Sequence, residues 1–497
     1  MLNTLPTSTR ILAIFCGTEM WERYGFYVVQ ALLALYLSFH LRLSDAETYA
    51  LVGSFTALTY ISPIIGGWIA DKFLGQKRAV MTGAIVLSSS YVVVSFATSI
   101  NILLLSLALI AVGTGLLKPN ISAMLGRQYE YGDPKRNSGF TIFYLGITVG
   151  IILGTVLPIK LQNIFGWKVC FLSAALGAAF AFLVFFYGIR KLDIKEYAHF
   201  TQRMLTNWCI AIGVLILSFF LFYGVLLYPY VADTFFLVVV LIATGIVLRI
   251  AQKEQGCQRY KTLSLLLLFV ISVFFWAFYF EMFIVLTLFI TRVVEPVVLG
   301  IAFPAPYYVA VQSLGMIFFG LILSKLWAKM KHKNVAHVTG VKFTFSIICM
   351  LIAYSIILLL VSSNQSAALL SPWPILGAYL MISLAELLLS PIGLSAVTQL
   401  ASQKVVSTMM GIFFVSLGIG GFLAGRLAEF AVIKDTADSI VLMKMQYLSG
   451  FQNLVIILVG VLFVTCIFAF TITRLTKRVM WEQPVADTKA PKMCHQE

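Results

Sequence analysis

The chain has 497 residues, 60% of them hydrophobic and 11% charged, with a mean hydropathy of +0.96. That balance excludes a soluble globular domain and a disordered chain, and marks a polytopic membrane protein. The formal net charge of +15 sits in loops between apolar stretches, so it reports membrane sidedness rather than a nucleic-acid surface.

With about 20 apolar residues needed per crossing, spans are predicted near 11–38, 48–70, 79–98, 101–118, 139–162, 168–189, 207–230, 232–251, 263–292, 305–328, 343–362, 373–399, 405–430 and 450–473. The expected fold is an all-α polytopic membrane protein of about fourteen helices. The first span carries Glu19, Glu22 and Arg23. An ionisable group at such depth costs about 2.5–3.5 kcal/mol, so it normally faces another charge or a watery cavity. Their i, i+3, i+4 spacing puts all three on one side of the helix. A structural ion pair would explain two charges; three on one stripe, with more in later spans, indicate a path or binding site. This segment is too long and too charged for a cleavable signal peptide.

Basic residues collect in alternate loops, at Lys72, Lys77 and Arg78, at Arg127, Lys135 and Arg136, at Arg190, Lys191 and Lys195, at Lys253, Arg259 and Lys261, at Lys329, Lys331 and Lys333, and at Arg474, Lys477 and Arg478. The other loops hold only a scatter such as Arg42, Lys160, Lys168 and Lys434. Both termini are therefore expected on the cytoplasmic side of the membrane. The spans 207–230 and 232–251 carry no acid or base at depth, as expected for helices at a bundle's edge. Setting them aside leaves six helices before and six after. The expected division is an N-terminal bundle over 1–195, a linker with two extra spans over 196–262, a C-terminal bundle over 263–480 and a tail over 481–497. Six-plus-six architectures of this kind bind substrate near the midplane between the halves. The seven cysteines, Cys16, Cys170, Cys209, Cys257, Cys349, Cys466 and Cys494, lack metal-ligand or disulfide-framework spacing. Neither a phosphate-binding loop nor a nucleophile–base pair is present, so an enzyme is not expected.

The loop Gly66-Gly67-Trp68-Ile69-Ala70-Asp71-Lys72-Phe73-Leu74-Gly75-Gln76-Lys77-Arg78 resembles the signature of the major facilitator superfamily, where small residues let helix ends approach and an acid meets basic neighbours. Glu19-Met-Trp-Glu22-Arg23-Tyr24-Gly-Phe26-Tyr27 resembles the E-x-x-E-R-F/Y motif of proton-dependent oligopeptide transporters within that superfamily. The resemblance continues in Gly113-Thr-Gly-Leu-Leu-Lys118-Pro119-Asn120, Gly139-Phe-Thr-Ile-Phe143-Tyr144, Phe275-Trp276, Ala385-Glu386-Leu-Leu-Leu-Ser390-Pro391-Ile-Gly393-Leu-Ser395 and Met409-Met410-Gly411. The two-helix insertion is similar to that of bacterial members.

The resemblance implies proton-coupled import of di- and tripeptides or peptide-like zwitterions. The substrate carboxylate would face Arg23 and Lys118, and its amino terminus Glu386. Phe26, Tyr27, Tyr60, Tyr144, Thr148, Trp276 and Ser390 are expected at the substrate. Glu19, Glu22, Arg23, Lys118 and Glu281 are expected in proton coupling, because a buried carboxylate beside a cation can gain and lose a proton near neutrality. Pro119 and Pro391 each remove a backbone hydrogen bond beside the site and are expected to permit bending. The implied partners are a small peptide, protons and the lipid bilayer, with no nucleic acid, no cofactor beyond the coupling proton, and a monomeric unit.

Several positions depart from the family pattern. Thr148 and Gly315 stand where two asparagines that contact the peptide usually stand, so a different small solute, an amino acid derivative or an organic anion, is the alternative substrate class. A glutamate usually found on the seventh core helix falls on Phe280, with Glu281 in the next position, about 100° around the helix. Gln30 and Thr291 replace the arginine and aspartate that close an outer gate in some members, so this gate must close by other contacts. Gly53 replaces the histidine of animal relatives. A non-transporting sensor or scaffold is the remote alternative.

Overall fold

The computed structural model describes residues 6–129, 134–196, 204–329, 335–402, 404–433 and 439–481. Residues 482–497 of the predicted tail, and with them Cys494, lie outside the described residues, as do Lys331, Lys333 and Lys434. The chain forms helices α1 (Thr7–Leu35), α2 (Asp45–Ile69), α3 (Gln76–Ser95), α4 (Ile100–Arg127), α5 (Pro134–Lys191), α6 (Met204–Leu227) and α7 (Pro229–Lys253). It continues through α8 (Gly256–Tyr279), α9 (Val285–Val293), α10 (Pro306–Lys329), α11 (Val335–Ser363), α12 (Pro372–Leu400), α13 (Val406–Leu427) and α14 (Ile440–Trp481).

Among the described residues, twelve helices are long and apolar enough to cross a bilayer. One of them contains two spans, because α5 breaks at Gly166 (φ 80°), a left-handed conformation that favours glycine. α1 falls outside that twelve and carries Glu19, Glu22 and Arg23 in its middle. With α8 and α9 taken as one interrupted span, fourteen crossings result, as two six-helix bundles and an inserted hairpin. An even number returns the end of α14 to the face where α1 begins. The one departure from an all-helical chain among the described residues is a two-stranded ribbon pairing Val297 with Ala302 and Val298 with Ile301. Its turn, Leu299 and Gly300, has positive φ at both positions, the geometry that matches strand twist.

In the first half, α1 packs on α5, and α4 on α2 and α3; in the second, α11 packs on α12 and α14, and α8 on α13. The hairpin α6–α7 lies across both, α6 against α4 and α7 against α8 and α13. At the exposed start of α7, outside the apolar depth of the hairpin, Asp233 accepts from Arg426 of α13 at 2.5 Å, which ties the hairpin to the second half.

The span predicted as continuous over 263–292 is interrupted. A tight 3-10 turn over Phe280–Phe283 ends in Ile284, whose φ −119° and ψ −97° are not helical. Carbonyls freed by the break are not left bare in the membrane: the Thr287 hydroxyl donates to Met282 O at 2.7 Å, and the Tyr354 hydroxyl donates to Phe278 O at 2.8 Å. α4 and α12 continue through Pro119 and Pro391. In the loop after α2, Lys77 is met by Glu196 of the linker, at 3.6 Å through Nζ and 2.9 Å through its backbone N–H. The expected partner, Asp71, is exposed. It lies in the π-helical turn Ala70–Leu74 that ends the span.

The halves meet most closely where α2 crosses α13. A Cβ on Gly53 would lie 2.7 Å from Gly425 Cα, so only glycine fits this approach. Gly53→Val is expected to wedge the halves apart, with an overpacking cost of about 1–3 kcal/mol. The purified variant should melt at lower temperature and transport more slowly; parental values of both would refute this packing role.

Candidate functional site

Between the halves lies a cavity of about 200 Å³. Its lining draws on α1 (Glu19, Arg23, Tyr27), α2 (Tyr60), α4 (Lys118), α5 (Tyr144, Ile147, Thr148, Ile151), α8 (Trp276, Tyr279), α10 (Val309, Gln312, Ser313, Met316), α12 (Glu386, Ser390) and α13 (Phe414, Leu417). Arg23, Lys118 and Glu386 therefore share one chamber. A larger cavity of about 320 Å³ beside α6–α7 is mainly apolar. Its one cation, Arg426, is already paired with Asp233 and Glu429.

On the first-half wall the charges are unequally engaged. Arg23 grips Glu22 with two donors, Nε at 2.5 Å and Nη2 at 2.6 Å, and its Nε lies 3.5 Å from Glu19. Its guanidinium also lies over the Phe26 ring, 4.8 Å from the centroid. Glu22 is buried and outside the cavity lining, whereas Glu19 reaches the lining and leaves its Oε2 buried without a partner. The Lys118 ammonium lies 4.4 Å from the centroid of Tyr60, with no carboxylate within 4.0 Å among the described residues. It is a cation available to an anion entering the chamber.

The second-half wall presents a single acid. Gln312 Nε2 donates to Glu386 Oε2 at 2.7 Å, and the Tyr279 hydroxyl is turned toward the same carboxylate. Ser383 Oγ donates to Gln312 O at 2.7 Å, which anchors α10 on α12 behind the acid. Gln312 and Tyr279 were not singled out in the sequence. Tyr279 carries a readable signal, since it follows Trp276 by three residues and shares its helical face; Gln312, an uncharged side chain in a span, carries none.

Aromatic rings close the chamber toward the helix break. Phe280 stacks with Trp276 at 5.5 Å and meets Tyr60 of the other half at 5.4 Å, while Tyr27 meets Phe283 at 6.1 Å. Where the family pattern has a glutamate, this chain has a ring that bridges the halves. Glu281 is fully buried in the turn, outside the cavity lining, with no cation within 4.0 Å among the described residues. The extra rotation per residue at the break turns it away from the chamber.

The two departures expected to affect substrate have distinct surroundings. The Thr148 hydroxyl donates to Tyr144 O at 3.1 Å, so it is occupied by its own helix. Gly315 faces α12, where a Cβ would lie 2.5 Å from Ser383 Oγ, and the neighbouring Met316 lines the cavity instead. Among the described residues no cluster of His, Cys, Asp and Glu is grouped as a metal site.

The family model described as PTR2, POT family, matches residues 77–447. The chain belongs to the POT family. Among its relatives, the dipeptide and tripeptide permease A of Klebsiella pneumoniae (strain 342) is 30% identical over 454 residues, covering 88% of each chain. This POT-family chain also superposes on a solved structure concerned with substrate recognition in proton dependent oligopeptide transporters, with a TM-score of 0.81 and 25% identity over 94% of this chain and 100% of the other. A bacterial homologue of the human drug peptide transporters PepT1 and PepT2 gives a TM-score of 0.79 and 26% identity, covering 95% of this chain and 100% of that one.

Proposed function

We propose that this protein is a proton-coupled symporter that imports di- and tripeptides or similar zwitterions by alternating access. The observation that carries this reading is one chamber between two six-helix halves, with Arg23 and Lys118 on one wall and Glu386 on the other. A solute charged at both ends contacts both halves at once, so its binding differs between arrangements and biases their equilibrium. Its carboxylate pairs with Arg23 and Lys118, and its ammonium with Glu386. Tyr27, Tyr60, Tyr144, Thr148, Trp276 and Ser390 surround the part between. The permease named above supports the peptide assignment.

Coupling resides in Glu19 and Glu22 with Arg23 and Lys118, and in Glu281. Protonating an acid of the first-half cluster weakens its hold on Arg23 and frees the guanidinium for the substrate carboxylate. No cofactor beyond the proton is needed. The halves 1–195 and 263–480 move about the chamber while 196–262 spans them, in a bacterial inner membrane with both termini cytoplasmic. Each chain holds a complete chamber, which supports a monomeric transport unit.

A second substrate class, an amino acid derivative or an organic anion, is favoured by one observation: neither Thr148 nor Gly315 offers a free side-chain donor to a peptide backbone. Gradient-driven uptake into proteoliposomes, competed by a panel of dipeptides and amino acid derivatives, separates the two. Lys118→Ala is expected to abolish gradient-driven uptake, and Glu22→Gln to remove its dependence on the gradient while sparing counterflow. Full proton-driven accumulation in Glu22→Gln would refute its coupling role.

A further inference from the structure

The cavity of about 320 Å³ beside the α6–α7 hairpin shares no lining residue with the charged chamber. It holds more than twice the ~150 Å³ of an apolar cavity that takes up benzene. Leu51, Leu104 and Val225 make a buried apolar floor, whereas Glu47 and Arg426 stand at its accessible rim. Along α2 the lining residues Glu47, Ala50, Leu51 and Ser54 follow i, i+3, i+4, i+7 spacing, so one helical face runs from charge to oil. Ser54, 5% exposed, lies about 10 Å deeper than Glu47. Tyr228 and Tyr230 are exposed on either side of Pro229, a lining residue, with rings 5.6 Å apart. Tyrosines so placed mark the level of lipid headgroups. Below them, exposed Leu217, Phe220, Leu237 and Leu241 present the outer faces of α6 and α7 to hydrocarbon.

The rim is charged unevenly. Arg426 donates to Asp233 at 2.5 Å and to Glu429 at 2.8 Å, which uses two of its five N–H groups and leaves three for another acceptor. Glu47 Oε2 accepts from the Ser44 N–H and hydroxyl, at 3.0 and 2.6 Å, and its Oε1 takes no part in that cap. Asp45 adds nothing to the balance, because Arg292 of α9 donates to both of its oxygens at 2.7 Å. Three carboxylates therefore share one guanidinium, an excess of two negative charges above an apolar floor.

We propose that this cavity is a binding site for one phospholipid whose head carries a primary ammonium beside its phosphate, drawn from the leaflet on the face opposite the chain's ends. The phosphate takes the remaining Arg426 donors, the ammonium meets Glu47, the Ser54 hydroxyl serves an ester oxygen, and an acyl chain fills the floor. A purely anionic head meets the excess of carboxylates and is repelled; a quaternary ammonium has no N–H to give them. Gly425 of α13, packed on Gly53 of α2, is part of the wall, so the lipid touches both halves and the hairpin at once.

The test is native mass spectrometry of the purified full chain after exchange into an equimolar mixture of phosphatidylethanolamine, phosphatidylcholine and phosphatidylglycerol with identical acyl chains. No solute is carried, so the result stands apart from any uptake assay. The parent should retain one phosphatidylethanolamine in about three- to tenfold preference to either competitor, the worth of one hydrogen bond to a charged group. Glu47→Gln, which keeps a carbonyl for the α2 cap, should bring the ratio to phosphatidylcholine near one. Ala232→Phe, which places a ring in the cavity, should remove the retained lipid of every class; Glu47→Gln carries the test if that variant does not fold. Equal retention of the three lipids by the parent, or a preference that survives Glu47→Gln, overturns the proposal.

Discussion

Arg23→Ala is expected to abolish uptake and to destabilise the protein by about 3–5 kcal/mol, the usual cost of stranding a buried charge. Arg23 is 3% exposed and is the sole cation within 4.0 Å of Glu19 and Glu22 among the described residues, both of which are 1% exposed. Removing it leaves two carboxylates in a low-dielectric interior with only the more distant Lys118 to offset them. Thermal melting of the purified variant and uptake into proteoliposomes measure the two effects separately. Adding Glu22→Gln to Arg23→Ala should restore part of the stability, because one stranded charge is removed, but none of the uptake, because the substrate carboxylate still lacks its partner. Recovery of uptake in that double variant would show that Arg23 serves only to neutralise its neighbours.

Glu386→Gln is expected to raise the KM for a dipeptide with a free amino group by about tenfold or more, the loss of one charge-assisted contact. Glutamine keeps the size of the side chain and a carbonyl that can still accept from Gln312, so the wall itself should stand. An N-acetylated dipeptide has no ammonium to lose. Its competition should therefore change little between parent and variant. An equal loss for both ligands would mean that Glu386 supports the chamber without receiving the amino end. The single acid on this wall makes the comparison clean, since among the described residues that line the chamber the other carboxylate is Glu19, beside Arg23.

Much of the site was legible because charge inside an apolar span is rarely tolerated without a purpose. Glu19, Arg23, Lys118 and Glu386 stood out on that ground, and all four line one chamber. Periodicity could put Glu19, Glu22 and Arg23 on one face, but it could not tell that Glu22 turns behind Arg23 while Glu19 reaches the opening. That choice depends on which rotamers the neighbouring helices leave free. Asp45 and Arg292 escaped notice for a related reason. Asp45 follows Ser44, whose hydroxyl and Glu47 form a capping box, so it reads as an ordinary helix start; Arg292 reads as a basic residue at a span's end. Only the meeting of α2 and α9 makes them a pair.

Hydropathy and charge placement by themselves determined that the chain spans a membrane, where its crossings lie, and which of them carry polar groups. Those properties follow from the cost of moving each residue from water into lipid, which is local and nearly additive. The tertiary structure alone decided the break at Ile284, the displacement of Glu281 from the chamber, the packing of Gly315 against Ser383 and the bonds between Arg292 and Asp45. Each depends on contacts between residues far apart in the chain, where one residue's rotation about a helix axis or an ångström of approach changes the partner.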